Sequence, residues 1–413
     1  MSNFKFNEEL KTKIFNYKFL NDDFLDSDGK IREELKFKIN NPAFKIQNSK
    51  LIGSPEDKFE TTLFLPEGEG RKGEGGLRTK GYFKFSYVWQ STHDSDNASD
   101  IGGRWWIADY KANPLMPAPQ DIQKSINEYM KTFSYESQST GLDNAKYNIQ
   151  NTTQNNNSKS KIVNPTFNKL PLITVITVVF NGEKYLEQTI QSVINQTYPN
   201  VEYIIIDGGS TDGTIDLIKK YEDYIDYWVS EKDKGIYDAM NKGKDLALGC
   251  FINYMNNKDL FIDSNIFNYF YNINHKYDLI YGNVVIDNKG KKIIKPRSLN
   301  AIYRLKMPFC HQTVFLKNSI FRKYSFNIKY KIAADFDLFF KILSIKKYNY
   351  FYLNKPICIY DINGVSSNSL YTIYEYLLIG SKNKINIIYF IINILYFYFI
   401  FVKSTLIKYI KKI

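Results

Sequence analysis

The chain has 413 residues, of which 44% are hydrophobic and 24% are charged. These are ordinary globular values, so they exclude a wholly disordered or fibrous protein, and the length allows two or three domains. Lys and Arg outnumber Asp and Glu by 55 to 43, which gives a net charge of +12. We expect no nucleic-acid partner, because the sequence has no arginine-rich arm, zinc-finger spacing or single-strand-binding signature.

The cysteines and the N-terminus indicate a reducing compartment. Cys250, Cys310 and Cys358 are odd in number and far apart, which argues against a disulfide framework and against a cysteine metal site. The N-terminal residues are charged throughout and lack the apolar core of a secretory signal peptide. We therefore expect the protein to act in the cytoplasm.

Composition divides the first part of the chain into two regions. Residues 1–135 are mixed and charged, with a glycine- and charge-rich patch at 67–85, and the sequence indicates no role for them. Residues 136–169 contain almost no large aliphatic side chains, so we expect a polar linker that cannot offset its ordering entropy by burial. We expect Arg78 and the lysines of the patch on a solvated charged face, with contact to an acidic substrate as the alternative.

From Pro171 onward, strand and helix signals alternate. Residues 173–180 form a β-branched apolar run that indicates a strand buried on both faces, and 201–209 contain a second such run. Residues between and after these runs show helical spacing with one apolar face. The alternation predicts an α/β fold with a parallel sheet and right-handed crossovers.

Small, polar and acidic residues follow both predicted strands. Asn181 and Gly182 come after the first strand, and Asp207, Gly208 and Gly209 come at the end of the second. Ligands bind outside the carboxyl ends of the strands in open parallel sheets, so these residues are candidates for a binding edge. The alternative is that they only form the turns between strand and helix.

A series of segments, taken together, resembles a known family. In chain order they are PLITVITVVFNGEKYLEQTIQSVINQTYPNVEYIIIDGGSTDGT (171–214), EKDKGIYDAMNKG (231–243), LGCFINYMNNKDLF (248–261), DLIYGNVVIDNKGK (278–291), PFCHQTVFLKNSIF (308–321), YKIAADFDLFFKIL (330–343) and DINGVSS (361–367). Over 171–368 they resemble family 2 glycosyltransferases of the GT-A fold, in the bacterial branch that assembles capsule, exopolysaccharide and lipopolysaccharide. The resemblance implies a Rossmann-like, mostly parallel α/β sheet flanked by helices.

The resemblance also implies a nucleotide-sugar donor. It assigns the donor-binding positions to Val179, Asn181, Asp207, Asp238, Asn241 and Asn257. Asp207 matches the position that helps to hold the nucleotide's base. Gly208 follows it where many family members carry a second Asp, which leaves the identity of the nucleotide open. For Asn241 the alternative is an ordinary residue on a helix surface.

Asp259 matches the last acidic residue of the family's DXD-type metal motif. The resemblance therefore implies Mg²⁺ or Mn²⁺ as cofactor, since a hard divalent ion on carboxylate oxygen offsets the charge of a departing diphosphate. The sequence here is NNKD, with Lys258 in place of an acid. This leaves three interpretations. In the first, one carboxylate holds the metal together with phosphate oxygens; in the second, Lys258 itself offsets the phosphate charge; in the third, the site is impaired.

Asp335 matches the family's catalytic base, which in an inverting transfer removes the proton from the acceptor hydroxyl. Asp337, two residues on, would point in another direction on a helix. The alternative for Asp335 is a helix N-terminal acid that interacts with the helix dipole. His311 and Gln312 match positions on the acceptor or phosphate side, and a buried structural histidine is the alternative for His311.

The C-terminal region, 369–413, is predicted to be helical and membrane-associated. Residues 385–402 form an apolar stretch interrupted only by Asn386 and Asn393, and a lysine-rich tail follows. Such a helix is just short of a bilayer core, and the lysines favour the cytoplasmic side. We therefore expect an interfacial or re-entrant anchor on the inner face of the cell membrane, with a helix packed on the protein's own core as the alternative.

These features together predict an inverting, metal-assisted glycosyltransferase. It would move a sugar from a nucleotide-sugar donor to a growing bacterial surface glycan, with a lipid-linked acceptor and the membrane surface as partners. One alternative is a catalytically weakened module that binds a glycan or a nucleotide sugar, motivated by Lys258. The other is a scaffold in a polysaccharide-assembly complex that uses the N-terminal region and the tail.

Overall fold

The computed structural model describes most of the chain from residue 63 onward. The described residues are 63–92, 102–108, 114–118, 120–139, 169–271, 277–287, 291–304, 306–345, 347–360 and 370–383, with isolated positions at 17–18, 27–28, 30, 391–392, 394–395, 398–399 and 402.

Strands and helices alternate through this part of the chain. The strands of the described residues are β1 (Tyr17–Lys18), β2 (Gly73–Gly75), β3 (Tyr82–Phe83), β4 (Ser86–Thr92), β5 (Gly102–Ala108), β6 (Pro114–Pro117), β7 (Lys169–Leu170), β8 (Ile173–Val179), β9 (Val201–Asp207), β10 (Tyr227–Ser230), β11 (Phe251–Tyr254), β12 (Leu260–Phe261), β13 (Leu279–Asp287), β14 (Lys291–Ile294), β15 (Val314–Lys317) and β16 (Tyr350–Tyr360). The α-helices of the same residues are α1 (Gln120–Ser139), α2 (Leu186–Ile194), α3 (Thr214–Lys220), α4 (Ile236–Leu246), α5 (Asn268–Tyr271), α6 (Asn318–Phe321), α7 (Ala334–Leu343) and α8 (Leu370–Lys382).

The centre of the main sheet is the parallel set that the sequence predicts. β8 and β9 pair in parallel from Ile173 opposite Val201 to Val179 opposite Asp207. β11 lies parallel to β8 on one side, and β10 lies parallel to β9 on the other. Every residue of β8 is buried, as expected for a strand covered on both faces. The predicted α/β class with a parallel core is therefore confirmed.

Beyond β11 the main sheet continues with mixed pairings. Its strand order is β12-β16-β13-β15-β11-β8-β9-β10-β2, and β14 pairs with β13. β15 is antiparallel to both β11 and β13, whereas β16 is parallel to β13. A 3₁₀ turn at His311–Thr313 comes directly before β15. The sheet pairing therefore attaches this turn to the parallel core.

Helices pack closely on the parallel core. α4 contacts β8 and β9, and a Cβ added at Gly243 would lie 2.5 Å from Ile176 Cγ2, so glycine permits this close approach. On α2, the predicted apolar face is buried at Leu186, Ile190 and Val193. Burial of such a face, rather than helix propensity alone, stabilises short helices of this kind.

The residues before the main sheet form a second sheet. Its four strands pair antiparallel in the order β6-β5-β4-β7. β7 ends just before β8 begins, so the chain passes directly from one sheet into the other. Of the predicted linker, 136–139 form the end of α1 and Lys169 begins β7, whereas 140–168 lie outside the described residues.

The N-terminal region also adds an edge strand to the main sheet. β2 pairs antiparallel with β10, and a 3₁₀ turn at Leu77–Lys80 follows. In this turn Arg78 is only 1% exposed, and its Nη2 donates to Glu202 Oε1 on β9 at 2.5 Å. Its Nη1 donates to two backbone carbonyls. The expectation that Arg78 lies on a solvated face is wrong, because it neutralises a buried carboxylate of the main sheet.

At the C-terminal end, α8 packs against α7, and the described residues beyond α8 expose apolar side chains. Leu395, Tyr398 and Phe399 are helical and 63%, 66% and 65% exposed. Among the residues that the structure describes, no helix combines the length and the apolarity needed to cross a bilayer. Many positions of the predicted apolar stretch at 385–402 lie outside these residues.

We predict that replacing Arg78 with Met lowers the free energy of unfolding by about 3–5 kcal/mol, because the buried Glu202 carboxylate loses its charge partner. Burial raises the pKa of Glu202 and Arg78 opposes that shift, so loss of Arg78 leaves a charge that the interior disfavours. Urea denaturation followed by circular dichroism measures the change.

The matched control for this substitution is Lys80→Met. Lys80 pairs with Asp223 at 2.8 Å, and both side chains are partly or largely exposed, so its loss costs about 1 kcal/mol or less. Equal costs for the Arg78 and Lys80 variants would contradict the structural role of the buried pair.

Candidate functional site

The candidate site lies at the carboxyl edge of the parallel strands, where the turns after β8 and β9 meet. Asn181 has a φ of 50°, in the left-handed region that Asn tolerates better than most residues. Its backbone N–H donates to Ser210 Oγ at 2.7 Å, and its Oδ1 accepts from the N–H of Thr211 at 2.9 Å. Asn181 therefore joins the two turns into one hydrogen-bonded rim, defined here as residues 180–182 and 208–211.

Val179 and Asn257 converge on Gly182 beside this rim. A Cβ at Gly182 would lie 2.3 Å from Val179 Cγ2 and 2.8 Å from Asn257 Nδ2, so glycine is required for the approach. Val179 itself is buried. Asn257 Oδ1 is buried and has no hydrogen-bond partner among the described residues. The structure therefore brings together three predicted donor-side residues, Val179, Asn181 and Asn257.

Asp207, at the end of β9, is fully buried. Its carboxylate accepts from the backbone N–H groups of Gly209 (3.2 Å) and Ser210 (2.9 Å), and from the hydroxyls of Ser210 and Ser230. These donors satisfy a carboxylate that would otherwise be costly to bury. Asp207 thus holds the turn beneath the rim, and its contact with a nucleotide base stays a prediction.

Phe180 and Asp233 flank Gly208, and sequence reasoning missed both. The Phe180 ring is 62% exposed. A Cβ at Gly208 would lie 2.5 Å from Asp233 Oδ2 and 3.5 Å from Phe180 Cδ2. Burial raises the pKa of Asp233, and the charges of Asp238 and Asp207 add to the shift, although a backbone N–H and a lysine oppose it. A large aromatic residue directly after a buried strand is the signal that identifies Phe180 as a residue facing the edge.

The structure places Asp238 and Asn241 of α4 in different surroundings. Asp238 is half-buried, and its carboxylate accepts from the N–H of Lys234 at 3.0 Å. Asn241 donates to the carbonyl of Phe326 (2.8 Å) and accepts from the N–H of the same residue (3.0 Å). Asn241 therefore links α4 to the loop before α7 and is not the ordinary helix-surface residue of the alternative.

The turn after β11, residues 256–259, carries the predicted metal ligand. Lys258 has a φ of 82°, and its ammonium lies 4.7 Å from the centroid of the Tyr185 ring. Asp259 is 3% exposed and accepts from Gln312 Nε2 at 2.7 Å. Within the described residues, no three or more His, Cys, Asp and Glu side chains gather as a metal-binding group. A metal at Asp259 therefore needs further oxygen ligands of another kind.

Asp335, in the first turn of α7, lies beside His311. Its Oδ2 is 3.2 Å from His311 Nδ1, and its Oδ1 accepts from the Tyr237 hydroxyl at 3.3 Å. His311 Nε2 lies 3.3 Å from Asn256 Nδ2. Burial lowers the pKa of His311, but the hydrogen bond and charge of Asp335 outweigh it, with contributions from Cys310 and Asp259, so the pKa lies above its ordinary value.

Asp337 does not share this environment. It is buried at 3% exposure, and it pairs with Lys341 one turn along α7 at 2.6 Å. Asp335 is 16% exposed at its side chain and faces His311. The geometry therefore favours Asp335 over Asp337 as the acid that can meet a substrate.

Two consecutive residues connect the predicted carboxylates. His311 contacts Asp335, and Gln312 contacts Asp259. Asn253 of β11 fixes their 3₁₀ turn, because its Nδ2 donates to the carbonyls of Gln312 and Val314 at 2.9 Å each. The structure therefore places Asp259 and Asp335, which are far apart in the sequence, on either side of one short turn.

Sequence reasoning also missed Tyr237, Asn256 and Glu375. Tyr237 and Asn256 lie inside the quoted segments, directly before Asp238 and Asn257, where no pattern separated them from their neighbours. Glu375 lies in α8, beyond the last quoted segment. That segment, 361–367, lies outside the described residues. An acid between two tyrosines in an apolar helix is the signal that marks Glu375.

Comparisons with known proteins cover the part of the chain that carries this site. Residues 174–345 match the sequence model described as Glycosyl transferase family 2. A PGL/p-HBAD biosynthesis glycosyltransferase of Mycobacterium bovis is 26% identical over 207 residues, which cover 48% of this chain and 80% of the relative. An uncharacterized glycosyltransferase of Rickettsia typhi is 29% identical over 190 residues, which cover 42% of this chain and 59% of the relative.

The solved structures are less similar in sequence to this chain than these relatives are. S. aureus TarS 1-349 is 20% identical, with 50% of this chain and 64% of that chain covered and a TM-score of 0.40. The mannosyltransferase PcManGT from Pyrobaculum calidifontis, solved with GDP-Man and Mn²⁺, is 14% identical, with 52% and 65% covered and a TM-score of 0.41. The chain thus spans just under two thirds of each of these proteins. The family match and the curated relatives together show that residues 174–345 of this enzyme form a family 2 glycosyltransferase domain.

Proposed function

We propose that this enzyme transfers a sugar, with inversion, from a nucleotide-sugar donor to a lipid-linked bacterial surface glycan such as capsule, exopolysaccharide or lipopolysaccharide. The observation that carries the proposal is the pair of carboxylates, Asp259 and Asp335, joined through Gln312 and His311. One carboxylate suits the diphosphate side of the reaction, and the other suits the acceptor side. A relative named for PGL/p-HBAD biosynthesis supports an acceptor of the cell envelope.

In the proposed mechanism, Asp335 removes the proton of the acceptor hydroxyl while that oxygen bonds to the anomeric carbon. The bond from this carbon to the diphosphate oxygen breaks at the same time, and the proton ends on the Asp335 carboxylate. Tyr237 and His311 orient the two carboxylate oxygens. Burial and the charge of Asp335 raise the pKa of Tyr237 well above its ordinary value, so this hydroxyl stays a hydrogen-bond donor.

The proposed donor site is the rim and the turn at 256–259. The exposed Phe180 ring offers a face on which a base can stack, and aromatic stacking is tolerant of base identity. Gly208 and Gly182 keep the rim free of side chains at the points of closest approach. The nucleotide's diphosphate would then lie toward Asp259.

We propose Mg²⁺ or Mn²⁺ at Asp259. The residues present fit such an ion, because the amide oxygens of Asn256 and Asn257 are buried without hydrogen-bond partners among the described residues and sit in the same turn as Asp259. Hard divalent ions take carboxylate and amide oxygens together with substrate phosphates. When bound, the ion would offset the negative charge that develops on the diphosphate.

Lys258 favours a second candidate function. An ammonium in place of a motif acid is the feature expected of a weakened enzyme that binds nucleotide sugars or glycans, or that acts as a scaffold in an assembly complex. Lys258 is exposed and lies over Tyr185. Transfer activity by the purified protein separates the two candidates, because a binding module or scaffold shows none.

We also propose that the enzyme lies on the inner face of the cell membrane. The exposed apolar side chains beyond α8 support this location, since Leu395, Tyr398 and Phe399 are largely solvent-exposed in the described structure. The lysines at 403–412 supply the charge that attracts an anionic lipid surface.

Replacing Asp335 with Asn should lower the turnover number by roughly 10²- to 10⁴-fold, because the proton acceptor is lost while size and shape are kept. The dissociation constant of the donor should not change. Initial rates of sugar transfer measure turnover, and calorimetry with the donor measures affinity. Asp337→Asn is the matched control and should keep wild-type turnover in the folded protein. Wild-type turnover in the Asp335 variant would remove this residue from the mechanism.

Replacing Asp259 with Ala should weaken binding of Mn²⁺ in the presence of UDP or GDP, since it deletes the carboxylate assigned to the ion. Electron paramagnetic resonance of Mn²⁺ reads this binding without any need for activity. Lys258→Asp restores an acid and should tighten Mn²⁺ binding. If wild type and the Ala variant both transfer sugar at full rate in excess chelator, the metal proposal fails.

Deleting residues 385–413 should release the protein from anionic vesicles while α8 and the catalytic domain stay folded. Charge reversal of Lys408, Lys411 and Lys412 should weaken vesicle binding by about 1 kcal/mol per charge, and high salt should have a similar effect. Vesicle co-sedimentation and circular dichroism measure the two properties. A truncated protein that unfolds, or that still binds vesicles, would contradict the anchor.

A further inference from the structure

Helix α8 lies beyond the family match at 174–345, yet it contacts the segment that carries Asp335. Glu375 of α8 is 1% exposed. Its Oε1 accepts from the backbone N–H of Lys331 at 2.6 Å, and its Oε2 accepts from the N–H groups of Ile332 (2.9 Å) and Ala333 (2.8 Å). One buried carboxylate therefore binds three successive backbone donors just before α7 begins.

These three backbone N–H groups need a hydrogen-bond acceptor, and Glu375 supplies it. α7 starts at Ala334, and its N-cap residue Ala333 provides no side-chain hydrogen bond. Buried N–H groups without a partner are costly, and a charged acceptor gives stronger bonds than a neutral one. Glu375 therefore supplies from another helix an acceptor for the N–H groups of the N-cap residue and of the two residues before it, which an N-cap side chain would not reach because it accepts from inside the first turn. The direction in which α7 leaves the loop follows from these bonds.

Two further contacts of α8 flank the same segment. The Tyr376 ring stacks on Phe336, the residue after Asp335, with centroids 4.2 Å apart and an interplanar angle of 18°. Lys382 Nζ lies 3.3 Å from the Tyr330 hydroxyl and 5.4 Å from the centroid of its ring. α8 thus contacts the segment 330–336 before, at and after the three donors.

The segment 331–333, which Glu375 binds, also affects the position of the Asp335 carboxylate. The Tyr237 hydroxyl has one proton and lies within hydrogen-bond distance of both the Ile332 carbonyl and Asp335 Oδ1, so a shift of Ile332 changes how that proton is shared with the carboxylate. The His311 contact to Asp335 is 3.2 Å, which leaves little room before the bond is lost. Displacement of the loop by about 1 Å is enough to disturb a catalytic geometry.

We propose that Glu375 is a positioning residue for sugar transfer: it holds the backbone of Lys331–Ala333 so that Asp335 meets the acceptor hydroxyl. The inference rests on the proposed role of Asp335 as the base. It places a residue required for turnover in α8, outside the segment that the family match covers. Glu375 itself is buried and contacts no substrate.

The test uses the full chain with Glu375→Gln. Gln keeps the size but presents an NH₂ group to at least one backbone N–H, so it cannot accept from all three donors. We expect the turnover number to fall about 10²-fold, with the KM for the donor unchanged. Ser381→Ala, on the exposed face of the same helix, is the matched control and should behave as wild type. Unchanged turnover in the Gln variant, or a raised donor KM at wild-type turnover, would overturn the proposal.

A double variant separates positioning from a general loss of structure. In the Asp335→Asn background the base is already absent, so Glu375→Gln should cause no further loss of turnover. A further loss equal to that of the single variant would overturn the positioning role. If Asp335→Asn alone keeps wild-type turnover, the proposed base fails; if only Glu375→Gln does so, the base stands and this inference alone fails.

A second variant keeps the test open if Glu375→Gln does not fold. Glu375→Asp keeps the charge but shortens the side chain by one methylene, so the carboxylate no longer reaches all three N–H groups. Circular dichroism confirms folding before kinetics. Lowered turnover with unchanged donor KM in the folded Asp variant supports the positioning role of Glu375, whereas wild-type turnover in that variant contradicts it.

Discussion

The hydrogen bonds of His311 and Gln312 set the spacing of the two carboxylates on which the proposed chemistry depends. Both residues lie in one 3₁₀ turn, so Asp335 and Asp259 are held by adjacent side chains of the same backbone. The turn is itself bound to β11 through Asn253. A transfer with inversion needs a base on one side of the anomeric carbon and charge compensation on the other, and this turn provides a fixed frame for that separation.

Residues outside the matched segment support this frame from two directions. Arg78, in the N-terminal region, neutralises Glu202 within β9, the strand that ends at Asp207. Glu375, near the C-terminus, binds the backbone before α7. A single hydrophobic core includes side chains from all three parts, such as Phe64, Ile206 and Ile379. The unit that positions the site is therefore larger than the stretch 174–345 that carries the family likeness.

The sequence predicts local features well, because they depend on neighbouring residues. β8 and β9 follow from β-branched apolar runs, and the positions of Asp259 and Asp335 follow from segments that resemble a family. Pairings between distant residues escaped prediction: Arg78 and Glu202 are 124 positions apart, and no local pattern links them. The same holds for Glu375 and Ala333, and for Asp207, whose burial under its own turn depends on Ser230 of the next strand.

The most direct measurement is a crystal structure of the enzyme with a non-transferable nucleotide-sugar analogue and Mn²⁺. We expect the diphosphate beside Asp259, the nucleotide along the rim next to Phe180, and Asp335 on the face of the anomeric carbon opposite the diphosphate. An analogue bound elsewhere on the molecule, or a diphosphate on the same face as Asp335, would contradict inversion by this carboxylate.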